Sequence, residues 1–145
     1  MIERDNSVVV TAFVRFLVPT AQLFGLYVLA HGHESPGGGF QAGVILAAAY
    51  VALALGLGRE AFARRVRERS CVALAAGGLM LYILTGVAGM LGGGTFLDYG
   101  ALPLPVDVVR ARYLGILFIE TAVGLTVAAT LVLIFGRLVD REPGL

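Results

Sequence analysis

The chain contains no lysine and no tryptophan, and a single cysteine, Cys71. One cysteine excludes an internal disulfide and any cysteine-rich metal centre. Charge of either sign is scarce. Only 14% of the 145 residues are charged, against about a quarter in soluble domains. The eleven basic residues, all arginine, nearly balance ten acidic ones, so the net charge is +1. That is no footprint for nucleic acid. No phosphate-loop, catalytic-triad, haem or nucleotide motif occurs, and no nucleophile–base pair stands out. An enzyme acting alone is therefore disfavoured, and no cofactor is implied. What the chain has in quantity is apolar sequence, 58% of its residues, with a mean hydropathy of +0.86. This is the composition of an all-α integral membrane protein.

Four apolar runs are long enough to cross a hydrocarbon core of about 30 Å at helical rise. They cover residues 8–30, 40–58, 71–91 and 113–135 of a single membrane domain, 1–145. The residues before the first run, MIERDNS, are acidic as well as basic, and no small-residue cleavage site follows it. That run reads as a retained helix and not a signal peptide. In the second run Gly43, Ala47, Ala54 and Gly58 bring small residues to helical spacing, which permits close approach of a neighbouring helix. Gly136, with Arg137 beside it, reads as the stop of the fourth helix. Gly37-Gly-Gly-Phe40 and Gly92-Gly-Gly-Thr-Phe96 look alike, but the match is too short to define a repeat.

Four spans put both termini and the middle loop on one face. Arg4, Arg15, five arginines of the 59–70 loop, Arg137 and Arg141 fall there; only Arg110 and Arg112 fall on the other. The excess predicts cytoplasmic termini and two Gly-rich loops on the outer side of a prokaryotic cell membrane. The basic 59–70 stretch thus reads as a cytoplasmic loop, not as a surface for nucleic acid.

Few residues can carry chemistry. Glu120 lies well inside the fourth run, where an acid such as Asp costs about 2.5–3.5 kcal/mol on insertion scales and tends to have a use. With Gly124 and Ala128 it falls at i, i+4 and i+8, on a small-residue face that packs against another helix. Such a carboxyl can take and release a proton, or join hydroxyls such as those of Thr121, Thr126 and Thr130 around a hard cation. The alternative is a structural hydrogen bond or ion pair to a neighbouring helix. Arg15, Pro19 and Gln22 share one face of the first helix, which should look at protein. The plainer reading of Arg15 is snorkelling to the headgroups. Arg15 and Glu120 lie about seven residues from opposite faces, each about 10 Å deep. A pair between them is not expected, and partners for Glu120 are expected in other subunits.

Between the first two spans stands His31-Gly-His-Glu-Ser-Pro-Gly-Gly-Gly-Phe-Gln-Ala-Gly43. Proline and glycine at this density break a helix. Pro36, Gly37, Gly38, Gly39 and Phe40 read as a structural loop. His31 and His33 can handle protons, because imidazole titrates near neutral pH, or can simply hydrogen-bond the loop. The spacing of His31 and His33, even with Glu34, is not a helix-face pair and no further ligand is obvious, so no metal is expected.

These residues carry a resemblance. Arg15-Phe-Leu-Val-Pro19, the HGHESPGGGFQAG stretch and Glu120-Thr-Ala-Val-Gly-Leu-Thr-Val resemble the MrpB/MnhB component of the Mrp/Mnh multisubunit sodium/proton antiporters, over most of the chain. Ala42 departs from the pattern, standing where that family often has glycine. The resemblance implies a small membrane subunit, not an enzyme, of a complex exchanging sodium for protons. Its partners would be the other membrane subunits, including ones similar to the antiporter-like subunits of respiratory complex I, with lipid around it. Two other readings stay open: the equivalent subunit of a membrane-bound hydrogenase-type complex, or a purely structural assembly subunit. A self-sufficient four-span exporter of the small multidrug type would carry its acid in the first span, beside tryptophan. Here the acid is in the fourth.

Overall fold

A computed structural model describes residues 8–32 and 38–141. Those residues form five α-helices and one 3-10 turn: α1 (Val8–Ala30), α2 (Gly38–Leu57), α3 (Arg59–Arg65), α4 (Glu68–Leu91), the turn Tyr99–Ala101, and α5 (Val108–Arg141). All but α3 are long and apolar enough to cross a membrane. The principal contacts run α1 to α2, α2 to α5 and α5 to α4. The four long helices therefore stand side by side in that order, with α1 and α4 on the flanks.

The row is held by small residues. Ala42, Ala47, Ala49 and Ala54 of α2 are all buried, and Leu53 is the largest side chain enclosed outright. With little side chain between them, helix backbones approach closely and gain dispersion contact, the main source of cohesion where lipid is as apolar as the interface. A methyl group on Gly43 would stand 2.8 Å from the Gly124 carbonyl oxygen and 2.9 Å from Val127 Cβ. On the other side of α5, a methyl on Gly78 of α4 would lie 2.6 Å from the Ala122 carbonyl oxygen. Thr126 lies in that seam, its hydroxyl 2.8 Å from the Ala122 carbonyl of its own helix and 3.4 Å from the Ala75 carbonyl of α4. Pro19 is accommodated inside α1, where it leaves the Arg15 carbonyl without its usual donor.

Several expectations need correction. Gly58 does not serve helix packing. It turns the chain with φ of 85° and meets nothing within 4 Å, a conformation glycine adopts at little steric cost. The basic 59–70 stretch is not simply a loop. Its first half forms α3, because Phe62 has an apolar site to fill and packs edge-on against Phe135, with ring centroids 5.6 Å apart. Gly136 does not stop α5, which continues to Arg141. The last turns are held by buried Val139, by Arg59 on Asp140 at 2.5 Å and by Arg137 on Glu68. At its other end α5 starts at Val108, five residues before the expected run. The Asp107 carboxylate accepts from the Arg110 amide at 3.3 Å and caps it. At 34 residues, α5 is about 51 Å long at helical rise and outreaches the hydrocarbon core at one or both ends. Gly38, Gly39 and Phe40, expected in a loop, form the first turn of α2. The smallness of the two glycines is used in helix contact, as described below.

The α2–α5 contact yields a direct test. Gly43→Val has to push the two backbones apart, whereas Gly77→Val extends into open space. The yield of monodisperse protein in mild detergent should fall severalfold for Gly43→Val and stay unchanged for Gly77→Val; equal yields would contradict the packing.

Candidate functional site

Three helix segments meet around Glu120. The carboxylate comes from α5, the end of α1 supplies His31 and Gly32, and α2 supplies its first two residues, Gly38 and Gly39. Glycine is what lets them meet. A methyl on Gly39 would lie 2.8 Å from Glu120 Cα and overlap the Glu120 carbonyl oxygen. One on Gly38 would lie 3.0 Å from both Cδ and Oε1 of Glu120. One on Gly32 would lie 2.7 Å from Glu120 Cδ and overlap Oε2. Gly32, Gly38 and Gly39 thus form a bed of bare backbone on which the side chain rests. Oε2 is enclosed within the protein. Gly124, one turn further along α5, continues the contact: a methyl there would lie 3.2 Å from the Gly39 carbonyl oxygen.

The electrostatics of the place suit a carboxylate. The opening turn of a helix presents amide groups with no acceptor in the helix and the positive end of its dipole. Gly38 and Gly39 open the 20-residue α2, so the Glu120 carboxyl lies at the end of that helix that favours negative charge. On α5 itself Glu120 sits 17 residues before Arg137, about 25 Å from the arginine-rich end at helical rise.

His31 stands at the edge of this bed. Its Nδ1 lies 3.0 Å from the Tyr27 carbonyl oxygen. A carbonyl only accepts, so Nδ1 carries the proton and donates. The imidazole also stacks on the Tyr27 ring, with centroids 4.2 Å apart. The ring is oriented by these two contacts, and the side chain is exposed, which leaves Nε2 available to water.

The residues singled out in the sequence fall into two groups. Glu120 meets Gly38 and Gly39, and His31 is the chain neighbour of Gly32, which also lies against Glu120. Arg15 and Gln22 do not join them. They line a cleft of about 510 Å³ between α1 and α2, with Tyr50 of α2 and Arg65 of α3. Arg15 is 16 residues from His31 along α1, about 24 Å at helical rise, and forms no ion pair with a described residue. Thr121 adjoins Glu120 on α5 and is half-buried; Thr130 is exposed. Phe40 is 60% exposed and points away from the bed. His33, Glu34, Pro36 and Gly37 lie outside the described residues. Among the described residues no group of three His, Cys, Asp or Glu side chains could hold a metal. Partners for Glu120 are expected in other subunits on sequence grounds; among the described residues of its own chain, Gly32, Gly38 and Gly39 lie against it. Sequence reasoning treats the acid and the glycine stretch separately, 82 positions apart at Gly38 and Glu120, and overlooks Gly32 and Tyr27. The i, i+4 spacing of Tyr27 and His31 is the one local signal that points to their stack.

Residues 9–133 match a family described as a domain related to the MnhB subunit of Na+/H+ antiporter. A Bacillus subtilis protein named as the B component of a Na(+)/H(+) antiporter is 26% identical over 137 residues, 89% of this chain and 95% of that protein. The protein of the same name from Alkalihalophilus pseudofirmus is 27% identical over 136 residues, 88% of this chain and 94% of its own length. An uncharacterized protein of Methanocaldococcus jannaschii is 34% identical over 135 residues, 83% of this chain; the chain spans about half of that protein's length, 49%.

The glycine bed is testable by stability. Gly39→Ala drives a methyl into the Glu120 backbone, which, unlike a side chain, cannot swing aside. Overpacking of this kind costs about 1–3 kcal/mol. The thermal midpoint of the purified protein should drop by several degrees, and an unchanged midpoint would mean that α2 and α5 are not in this contact.

Proposed function

The chain belongs to the family of domains related to the MnhB subunit of Na+/H+ antiporters, and from that premise we propose that it serves as a small multi-pass membrane subunit of a Na+/H+ antiporter complex, with Glu120 as its ion-handling group. The partners are then the complex's other membrane subunits, including those similar to the antiporter-like subunits of respiratory complex I, with sodium and protons as the transported species and lipid as the surrounding medium. The chain carries out no bond-making chemistry of its own.

The observation that carries this reading is the enclosure of the Glu120 carboxyl on bare backbone at the α1–α2 connection. An acid inside a span tends to be retained for a use. Here it lies against the backbone of Gly32, Gly38 and Gly39. A carboxylate supplies the oxygen donors that Na+ prefers, and the same group can carry a proton. His31 supports the reading as the group that exchanges protons at the boundary, since its ring is held by Tyr27 while the side chain stays exposed. Thr121 adds a hydroxyl beside Glu120. Arg15 and Gln22 belong to the opposite half of the chain, where any contribution to the path is electrostatic. The orientation proposed from the arginine excess puts the termini and the α3 segment in the cytoplasm. The α1–α2 and α4–α5 connections then face outward.

One observation favours a second reading. The fit of Glu120 onto three glycines is also what a purely structural anchor would need. The two separate on Glu120→Gln, which keeps the shape and removes the charge. On the proposed reading the complex assembles with normal subunit levels while Na+/H+ exchange in everted vesicles falls about tenfold or more, as for loss of a proton-transfer group. Normal exchange would leave only the anchoring role. A hydrogenase-type context would announce itself by co-purification of hydrogenase subunits.

Topology has its own test. Cys71 is buried, so single cysteines can be read against a quiet background. Thr95→Cys should react with an impermeant thiol reagent from outside intact cells, and Ala63→Cys only after the cytoplasmic face is exposed. The reverse pattern would invert the orientation.

A further inference from the structure

We propose that the cleft between α1, α2 and the end of α3 binds an anionic phospholipid, with the lipid phosphate held between Arg15 and Arg65 and an acyl chain lying along Val14, Val18 and Leu53. This inference does not depend on the ion-handling role of Glu120, which lies in the other half of the chain.

The cleft has a charged end and apolar walls. Its volume of about 510 Å³ is within the range of small-ligand sites, about 300–1,000 Å³. Arg15 enters from α1 and Arg65 is the last residue of α3; both line the cleft, and no carboxylate does. Among the other arginines of this end, Arg67 and Arg69 also form no ion pair with a described residue but do not line the cleft, and three are paired. Arg59 pairs with Asp140, Arg64 with Glu60 and Arg137 with Glu68. Arg15 and Arg65 form no ion pair with a described residue, although they converge on one hollow. Two guanidinium groups left in that arrangement match a phosphate diester, which accepts from several donors at once. Gln22 and Tyr50 add polar groups to the wall.

Position selects lipid over an acidic side chain of a neighbouring subunit. The cleft lies at the arginine-rich end of the row, at the depth where long basic side chains reach the headgroup layer. Beside the two cations the cleft has an apolar wall of Val14, Val18 and Leu53. An acidic side chain would satisfy the cations and leave that wall empty; a lipid satisfies both. Basic pockets between spans at a cytoplasmic face are a recurrent form of anionic-lipid recognition.

The test uses the protein purified with whatever subunits accompany it, delipidated in mild detergent, then incubated with phosphatidylglycerol or phosphatidylcholine of identical acyl chains. Bound lipid is counted by native mass spectrometry. Each copy should retain one phosphatidylglycerol, with phosphatidylcholine bound about tenfold more weakly, since each basic residue near the surface contributes about a threefold to sixfold preference for anionic lipid. Arg15→Gln with Arg65→Gln should abolish the preference. Val18→Trp, which keeps both cations and fills the apolar wall, should lower retention of both lipids. If the double variant does not accumulate, Val18→Trp alone decides. Equal binding of the two lipids by the unaltered protein would overturn the proposal. So would undiminished phosphatidylglycerol on either variant, or release of another subunit from the double variant with the lipid count unchanged.

Discussion

The structure depends on the near-contact of two backbones. Along the α2–α5 seam the chain places Gly39 and Gly43 on one helix against Glu120 and Gly124 on the other, with no Cβ on the glycine side. In a bilayer no hydrophobic force drives apolar helices together, so close dispersion contact has to. Everything else in the chain is arranged from this seam. α1 reaches α5 chiefly through α2, and α4 packs on the opposite flank of α5. The parallel course of α2 and α5 also brings the opening turn of α2 level with Glu120. Had either glycine pair been alanine, the helices would stand further apart, and the carboxyl would no longer rest on Gly32, Gly38 and Gly39.

That seam explains why an acid is tolerated at position 120. A carboxylate inside a span costs several kcal/mol when left to the lipid. The amide end of a helix favours negative charge by about 0.3–1 kcal/mol in exposed settings and up to about 2 kcal/mol when partly buried. The end of α2 therefore offsets part of that cost. Moved one residue along α5, it would face a different helix and lose the end of α2.

How much of this was legible in the sequence follows from the range of each interaction. The four long helices were visible because hydropathy sums over some twenty residues, and no local exception overturns such a sum. The helix ends were read less well because single contacts decide them. Gly136 is a stop signal in isolation, yet α5 runs through it because Val139, Arg137 and Asp140 all have partners beyond it. The first half of the 59–70 stretch is helical because Phe62 finds Phe135, 73 residues away. Asp107 as a cap is readable in principle, but the apolar run alone places the start of the helix at 113. The meeting of Glu120 with Gly32, Gly38 and Gly39 was not readable. Helical spacing correctly put the acid on a small-residue face, but nothing local says which helix that face meets.

The row arrangement bears on what kind of transporter part this is. An ion path across a membrane needs walls on every side, because an ion exposed to hydrocarbon carries the full cost of desolvation. Four helices in the order α1, α2, α5, α4 have neighbours along the row but, among the described residues, no fifth long helix closing either face. Glu120 sits within the seam, one helix in from α1 and one from α4, so a path that touches it has to be completed by helices from elsewhere. A self-sufficient exporter would need two copies to close face to face around that acid. A component of a larger complex needs only that neighbouring subunits cover one face. The large exposed apolar side chains of both flanks, Phe16 and Leu23 on α1 and Met80 and Leu84 on α4, suit either lipid or a neighbour. Under the proposed role, the glycine-lined carboxyl between them would be completed by an ion-conducting neighbour lying against the seam.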